Sequence, residues 1–224
     1  MRDVALPQLR IAPDVEGHSA EEVLALAVER FHPRLYVACS FQKEASVIMD
    51  MLVRIEPSAR FFTLDTDLLF PETHETRARL EERYGVEVEV YRPISLERQA
   101  ELHGDALWSR DPDACCAIRK VEPLREALAD VDCWVSGLRR EQAPTRRSAR
   151  KLEWDTRHGI WKANPLADWS EQQVWAYIDR HDVPYNPLHD QGYASIGCTH
   201  CTIAADGRAG RWSGAEKVEC GLHG

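Results

Sequence analysis

The sequence predicts an α/β fold, an open, mostly parallel twisted sheet with flanking helices, followed by a loop-rich, mobile C-terminal tail. Three observations carry that expectation. Short apolar runs alternate with stretches of helical period, the pattern of βαβ units with right-handed crossovers. Polar, chemistry-bearing residues follow those apolar runs directly. From Gly207 onward no convincing hydrophobic period remains.

The elements are expected in the following order. A lead segment closes in a helix whose apolar positions are Val23, Leu24, Leu26, Ala27, Val28 and Phe31. The first strand, 35–39 (LYVAC), runs into Ser40-Phe41-Gln42-Lys43-Glu44 and a helix from about 45 to 55. A second strand, 60–64 (RFFTL), ends at Asp65-Thr66-Asp67. A helix over about 72–84, stopped by Gly85, leads to a third strand over 86–91. Another helix, roughly 116–128, precedes a fourth strand at 133–136 (CWVS). Ser170-Glu171-Gln172-Gln173 is a capping box that opens a helix to about His181. Ligands of open parallel sheets sit beyond the carboxyl ends of the strands, where the strand order reverses. Ser40, Asp65 and residues 137–140 are therefore expected to share one cleft. The chain divides into a main domain, 1–206, and the tail, 207–224.

Composition narrows the function. The 224 residues carry a formal net charge of -9, which argues against a general nucleic-acid binder, because phosphate contacts need a basic footprint. No apolar run approaches the roughly 20 residues that span a bilayer. The first 13 residues show no apolar stretch behind a basic flank, so a cytoplasmic protein without a signal peptide is expected. Any anion site must be a local basic cluster, and residues 137–151 qualify: Arg139, Arg140, Arg146, Arg147, Arg150 and Lys151 stand against the single acid Glu141.

Cysteine usage points the same way. The seven cysteines, an odd number in a chain of this size, disfavour a disulfide framework and favour metal ligation or thiol chemistry. Cys115-Cys116 together with Cys198-Thr199-His200-Cys201 suit an iron–sulfur cluster, a zinc site or a redox pair, with plain core packing as the bland alternative. Arg119 and Lys120 follow the tandem pair, where they offset thiolate charge, face an anion, or simply form a solvated helix face. Cys220 lies in Glu219-Cys220-Gly221-Leu222-His223, near a terminus where core packing explains a cysteine poorly. With His223 close by, it reads as a nucleophilic thiolate or an incidental surface thiol. Arg208 and Arg211 add two guanidinium forks suited to sulfate or phosphate oxygens.

Taken together, these residues resemble a known family. Leu64-Asp65-Thr66, Phe70-Pro71-Glu72-Thr73, Cys115 to Lys120 (CCAIRK), Gly137-Leu138-Arg139-Arg140, Asn164-Pro165-Leu166, Gly197 to Cys201, Gly210-Arg211-Trp212 and Glu219 to His223 (ECGLH) occur jointly and in order. The chain is similar, over about residues 35–223, to the assimilatory adenylyl-sulfate and phosphoadenylyl-sulfate reductases, in particular the iron–sulfur-containing branch. The resemblance implies an adenine nucleotide alpha hydrolase-like fold. It also implies a [4Fe–4S] cluster on Cys115, Cys116, Cys198 and Cys201. It gives Cys220 the role of attacking adenylyl sulfate to form an S-sulfocysteine, with His223, Arg208, Arg211 and Lys120 as catalytic companions. Ser40, Phe41, Gln42, Leu64, Asp65, Arg139 and Arg140 fall at its substrate-binding positions. No thiol outside the presumed cluster ligands accompanies Cys220, and the sequence ends at Gly224 without the thioredoxin-like extension of plant relatives. An external dithiol, thioredoxin or glutaredoxin, is therefore expected as reductant; a homo-oligomer is compatible with the sequence. Two departures stand out: Ser40-Phe41-Gln42-Lys43-Glu44 where many relatives have a glycine-containing loop, and Leu64-Asp65-Thr66-Asp67, which has aspartate where they often have glycine. The alternatives are the 3′-phosphorylated substrate or dual use, a cluster-bearing ATP pyrophosphatase-type tRNA-thiolating enzyme, and a non-catalytic redox sensor.

Overall fold

The computed structural model describes residues 13–212 and 216–223. The leader expectation rests on residues outside that range, as do 213–215 and 224 of the tail. α1 (Ala20–Phe31) opens on a capping box between Ser19 and Glu22, and β1 (Leu35–Ala38) follows. Next come α2 (Lys43–Ile55), β2 (Arg60–Leu64), α3 (Pro71–Tyr84) and β3 (Val88–Tyr91). Gly85 ends α3 at φ 64°, a left-handed position that glycine adopts without strain. Short helices α4 (Leu96–His103), α5 (Leu107–Arg110), α6 (Pro112–Cys116) and α7 (Glu122–Ala127) lead to β4 (Cys133–Val135). The chain then forms a hairpin of β5 (Leu152–Asp155) and β6 (Ile160–Ala163), and α8 (Glu171–His181) starts at the expected Ser170 capping box.

The six strands lie in the order β3-β2-β1-β4-β6-β5. All pairings are parallel except that of β5 with β6. The sequence reading stopped at four strands. The Glu153, Asp155 and Lys162 side chains within the two extra strands hide the apolar run that marks a central strand.

Because successive residues of a strand face opposite sides, the sheet has two cores. Leu35, Val37, Phe61 and Val135 pack with α1, α2 and α8 residues such as Leu24, Ile48 and Val174. Tyr36, Phe62 and Trp134 face the other way, onto Leu124, Ala127 and Leu128 at α7, and Leu222 of the tail joins that second cluster. The strand order turns back between β1 and β4, which opens a crevice at their carboxyl ends.

One local irregularity positions the chemistry. The helix expected over 116–128 is broken by a π-helical turn at Ala117–Val121. An extra residue in a turn rotates the side chains that follow it. It sends Arg119 inward, 1 % exposed, where Nε donates to Thr66 O (2.7 Å), Nη2 to Asp67 (2.9 Å), and Nη1 to Gln99 (3.0 Å) and Ile94 O (3.3 Å). Arg119→Ala strands these acceptors without their buried charge partner, and we expect it to lower the unfolding free energy by about 3 kcal/mol or more. Urea denaturation checks this; a loss within about 0.5 kcal/mol, the range of an ordinary surface substitution, contradicts it.

Candidate active site

The crevice is an open cleft with a water-accessible volume of about 240 Å³. Ser40, Gln42, Leu64 and Arg139 line it from the strand ends and the start of α2. Lys120, Arg208, Arg211, Cys220 and His223 line it from the π turn and the tail. Eight of the eleven non-cysteine residues singled out in the sequence thus meet in one place, together with Cys220.

Phe41, Asp65 and Arg140 do not. Phe41 sits at φ 54° and its ring is buried in the core of the α2 face, 2 % exposed. Asp65 accepts from the backbone N–H of Asp67 (3.0 Å) and from Arg92 (3.2 Å), closing the loop after β2. Arg140 turns away to pair with Glu16 and donates to Ala149 O (2.8 Å). Each lies at the predicted strand end, but local turn geometry or a nearer partner takes its side chain elsewhere.

The two cysteine pairs come together. Cys115 and Cys116 end α6, and Cys198 and Cys201 flank a short 3-10 turn. Burial pushes the Cys115 thiol up to about 11, and neighbouring Cys116, Cys198 and Cys201 add to that rise. The second pair is held against the β2 loop. Cys198 Sγ lies 3.3 Å from Thr66 Oγ1, and Thr199 N donates to Leu68 O (2.8 Å). It is also tied to the arginine segment: Trp212 N donates to Cys201 O (2.9 Å), and Thr202 bridges Arg211. Gly197 makes room there, since a Cβ would come within 2.2 Å of the Arg211 guanidinium. Cys39 and Cys133, by contrast, are core residues of the sheet, with thiols pushed far up by burial.

Three contacts seat the tail around Cys220. Glu219 accepts both guanidinium donors of Arg146 (2.7 Å each), Thr145 Oγ1 (3.0 Å) and Arg208 (3.3 Å). Lys217 pairs with Asp113, just before the tandem cysteines. His223 stacks on Trp134 with ring centroids 5.7 Å apart and planes 6° from parallel. Trp134 is fixed by its own Nε1–H bond to Asp155 (3.0 Å). Sequence reasoning missed Arg146, Glu219 and Trp134 as site residues. Arg146 had a signal, in the basic run, and Glu219 another, beside Cys220; Trp134 reads simply as strand core.

Electrostatics single out Cys220. Burial alone raises a thiol, yet Lys120, the backbone N–H of Leu222, Arg211 and Arg208 more than offset it, and the net direction is downward. Burial likewise lowers the Lys120 ammonium, but the sulfurs of Cys198 and Cys220 favour its charge and the net direction is upward. Burial and the Lys162, Arg146 and Arg208 cations hold His223 well below the ordinary imidazole range, so it is neutral. The Nε atoms of Arg208 and Arg211 and the Nδ1 of His223 are buried without a hydrogen-bond partner among the described residues. Such groups mark where a polar ligand belongs.

A lowered thiol stays ionised to lower pH, so Cys220 is expected to be alkylated by iodoacetamide with a midpoint below the ordinary cysteine value of about 8.5. Lys120→Met should move that midpoint up. Mass spectrometry of the C-terminal peptide across pH measures both, and a wild-type midpoint at or above that of free cysteine contradicts the geometry.

Comparison with known proteins agrees with this arrangement. Residues 34–204 match the family described as the phosphoadenosine phosphosulfate reductase domain. The adenosine 5'-phosphosulfate reductase of Salinibacter ruber is 45% identical over 93% of this chain and 85% of its own. The phosphoadenosine 5'-phosphosulfate reductase of Gloeobacter violaceus is 46% identical over 95% of this chain and 92% of its own. Among solved structures, phosphoadenylyl-sulfate reductase from Candida auris, in a phosphate complex, superposes with a TM-score of 0.73 at 36% identity, covering 83% of this chain and 90% of that one. By fold, site and sequence, the chain belongs to the phosphoadenosine phosphosulfate reductase family.

Proposed function

We propose that the protein reduces adenylyl sulfate to sulfite and AMP through an S-sulfocysteine on Cys220, in assimilatory sulfate reduction. The observation that carries this reading is a thiol biased toward its thiolate beside Lys120, Arg208 and Arg211, the two guanidinium groups each keeping a buried, unpartnered donor. A thiolate approaching the sulfur of a phosphosulfate anhydride meets negative charge, and cations already aimed at the reacting group lower that barrier without reorganising. The Cys220 sulfur attacks the sulfur of the substrate. The bond from that sulfur to the bridging oxygen breaks, and its electron pair leaves on the phosphate of AMP. A dithiol then supplies two electrons: one thiolate attacks Cys220 Sγ and expels sulfite, and the second resolves the mixed disulfide, returning the Cys220 thiol. Thioredoxin or glutaredoxin chemistry fits that role. Lifting of residues 216–223 from their contacts would expose the sulfocysteine to such a partner. All seven cysteines are free thiols and no helix among the described residues is long and apolar enough to cross a membrane, which suits a reducing cytoplasm.

The donor set also supports a [4Fe–4S] cluster on Cys115, Cys116, Cys198 and Cys201. Four thiols from two segments lie within each other's electrostatic reach, and those of Cys115, Cys116 and Cys201 are pushed up, so a cationic centre is what would ionise them. Among the described residues no three His, Cys, Asp or Glu side chains are arranged to hold a single ion. A cluster takes one thiolate at each iron and so asks for sulfurs set farther apart. When bound, it would supply a charged, polarisable centre beside Lys120.

Two measurements test these readings. Anaerobic incubation with adenylyl sulfate, followed by mass spectrometry, is expected to add one sulfite unit to the Cys220 peptide; Cys220→Ser should abolish sulfite release. Modification at another residue, or none, overturns the assignment. Anaerobically purified protein is expected to carry about four irons and four acid-labile sulfides per chain, with loss of both in Cys198→Ala. Stoichiometric zinc without sulfide would overturn the cluster.

A further inference from the structure

The cleft is electrically lopsided. At the tail end, Lys120, Arg146, Arg208 and Arg211 face one carboxylate, Glu219, and neither Lys120 nor Arg211 pairs with an acid among the described residues. At the other end, around the start of α2 and of α8, Lys43 and Arg139 meet three: Glu44, Glu141 and Glu171.

These five side chains form one network. Arg139 Nε donates to Glu44 (2.9 Å), which also accepts from Gln142 (3.2 Å), and Arg139 Nη1 pairs with Glu141. Glu141 accepts from the backbone N–H of Glu171 (2.6 Å). Glu171 in turn holds Lys43 Nζ at 2.9 Å, and Lys43 Nζ also donates to Ala194 O (3.1 Å). Lys43 is 2 % exposed and its ammonium lies 5.6 Å from the Trp175 ring. Both cations at this end are therefore already neutralised, and a carboxylate is left over.

One cleft joins both ends, so it offers this second end to the nucleoside of a substrate whose reacting anion sits at Cys220. Relatives of nearly equal identity carry the names of two substrates that differ by one phosphate on the nucleoside. Overall identity therefore does not separate them, whereas charge does. A further phosphate dianion would enter a partly desolvated region of net negative charge, and like charges brought together across such a cleft are strongly disfavoured. We propose that the Lys43–Glu171–Glu141–Arg139–Glu44 network is a specificity filter that favours adenylyl sulfate over its 3′-phosphorylated form, with Glu171 withholding Lys43 from the extra phosphate. This rests on the reductase reading above and assigns a discriminating role to residues outside the thiol chemistry.

Glu171 gives the cleanest test, because its side chain is about half exposed (46%) and it opens a helix whose capping box is made by other residues. The measurement is kcat/KM for sulfite release from each nucleotide, for the wild type, Glu171→Gln, Glu171→Asp, and Glu171→Gln combined with Lys43→Met. The wild type is expected to prefer adenylyl sulfate. Glu171→Gln should raise the ratio for the 3′-phosphorylated nucleotide over adenylyl sulfate by about tenfold, the scale of one freed charge in a half-buried site. Glu171→Asp should keep the wild-type ratio, and adding Lys43→Met should cancel the gain. A purely structural role would lower both efficiencies together and leave the ratio alone, which overturns the filter, as does a wild-type preference for the 3′-phosphorylated form. Release of sulfite from neither nucleotide by the wild type defeats the reductase reading itself and is distinguishable from either.

Discussion

A guanidinium buried as deeply as that of Arg119 has to find its partners inside the protein, and the site is built around that requirement. Its bonds reach the loop after β2, the turn before α4, and α4 itself. Thr66, whose carbonyl it binds, also holds Cys198 through its hydroxyl. The same loop accepts the backbone N–H of Thr199. Satisfying one charge therefore fixes the tandem cysteines preceding it, the CxxC turn across from it, and Lys120 beside it. The π turn is the device that allows this, since Arg119 and Lys120 are neighbours in sequence yet serve different sides: one locks the scaffold, the other lines the cleft.

The cleft shows how a chain of net charge -9 gathers basic side chains at one place. Its basic side chains come from the π turn, the segment after β4 and the tail, and most are anchored by a carboxylate or a carbonyl. Those anchors set direction as well as charge. Glu219 joins Arg146 to Arg208 and sits next to Cys220, so the cations and the thiol are placed by one set of contacts. Trp134 completes the seat from below. It belongs to the sheet face opposite Leu35 and Val37, and the period of two along the strands is what brings it under His223.

Much of this was legible in the sequence. Alternating apolar runs placed the central strands, and Gly85 and Ser170 marked helix ends correctly, because turn and cap chemistry is local. The rule that ligands gather at strand carboxyl ends brought Ser40, Gln42, Leu64 and Arg139 to one cleft. What escaped is decided by partners distant in sequence. Arg140 and Arg139 are adjacent and chemically identical, and only the folded positions of Glu16 and Glu44 decide which of them faces the cleft. Phe41 was misplaced because its left-handed backbone, unusual for an aromatic residue, turns the ring inward. The β5–β6 hairpin hid behind its charged positions, and the π turn has no compositional mark at all.

The two cysteines of the sheet, Cys39 and Cys133, have a quieter consequence. Burial keeps both as neutral thiols, poor attackers of any oxidised sulfur. An adduct of the kind proposed on Cys220 would therefore have no rival at these two positions to discharge it prematurely or trap it in an internal bridge. Under the proposed chemistry, resolution would fall to an external thiol, and the inertness of the interior would guard the fidelity of the cycle.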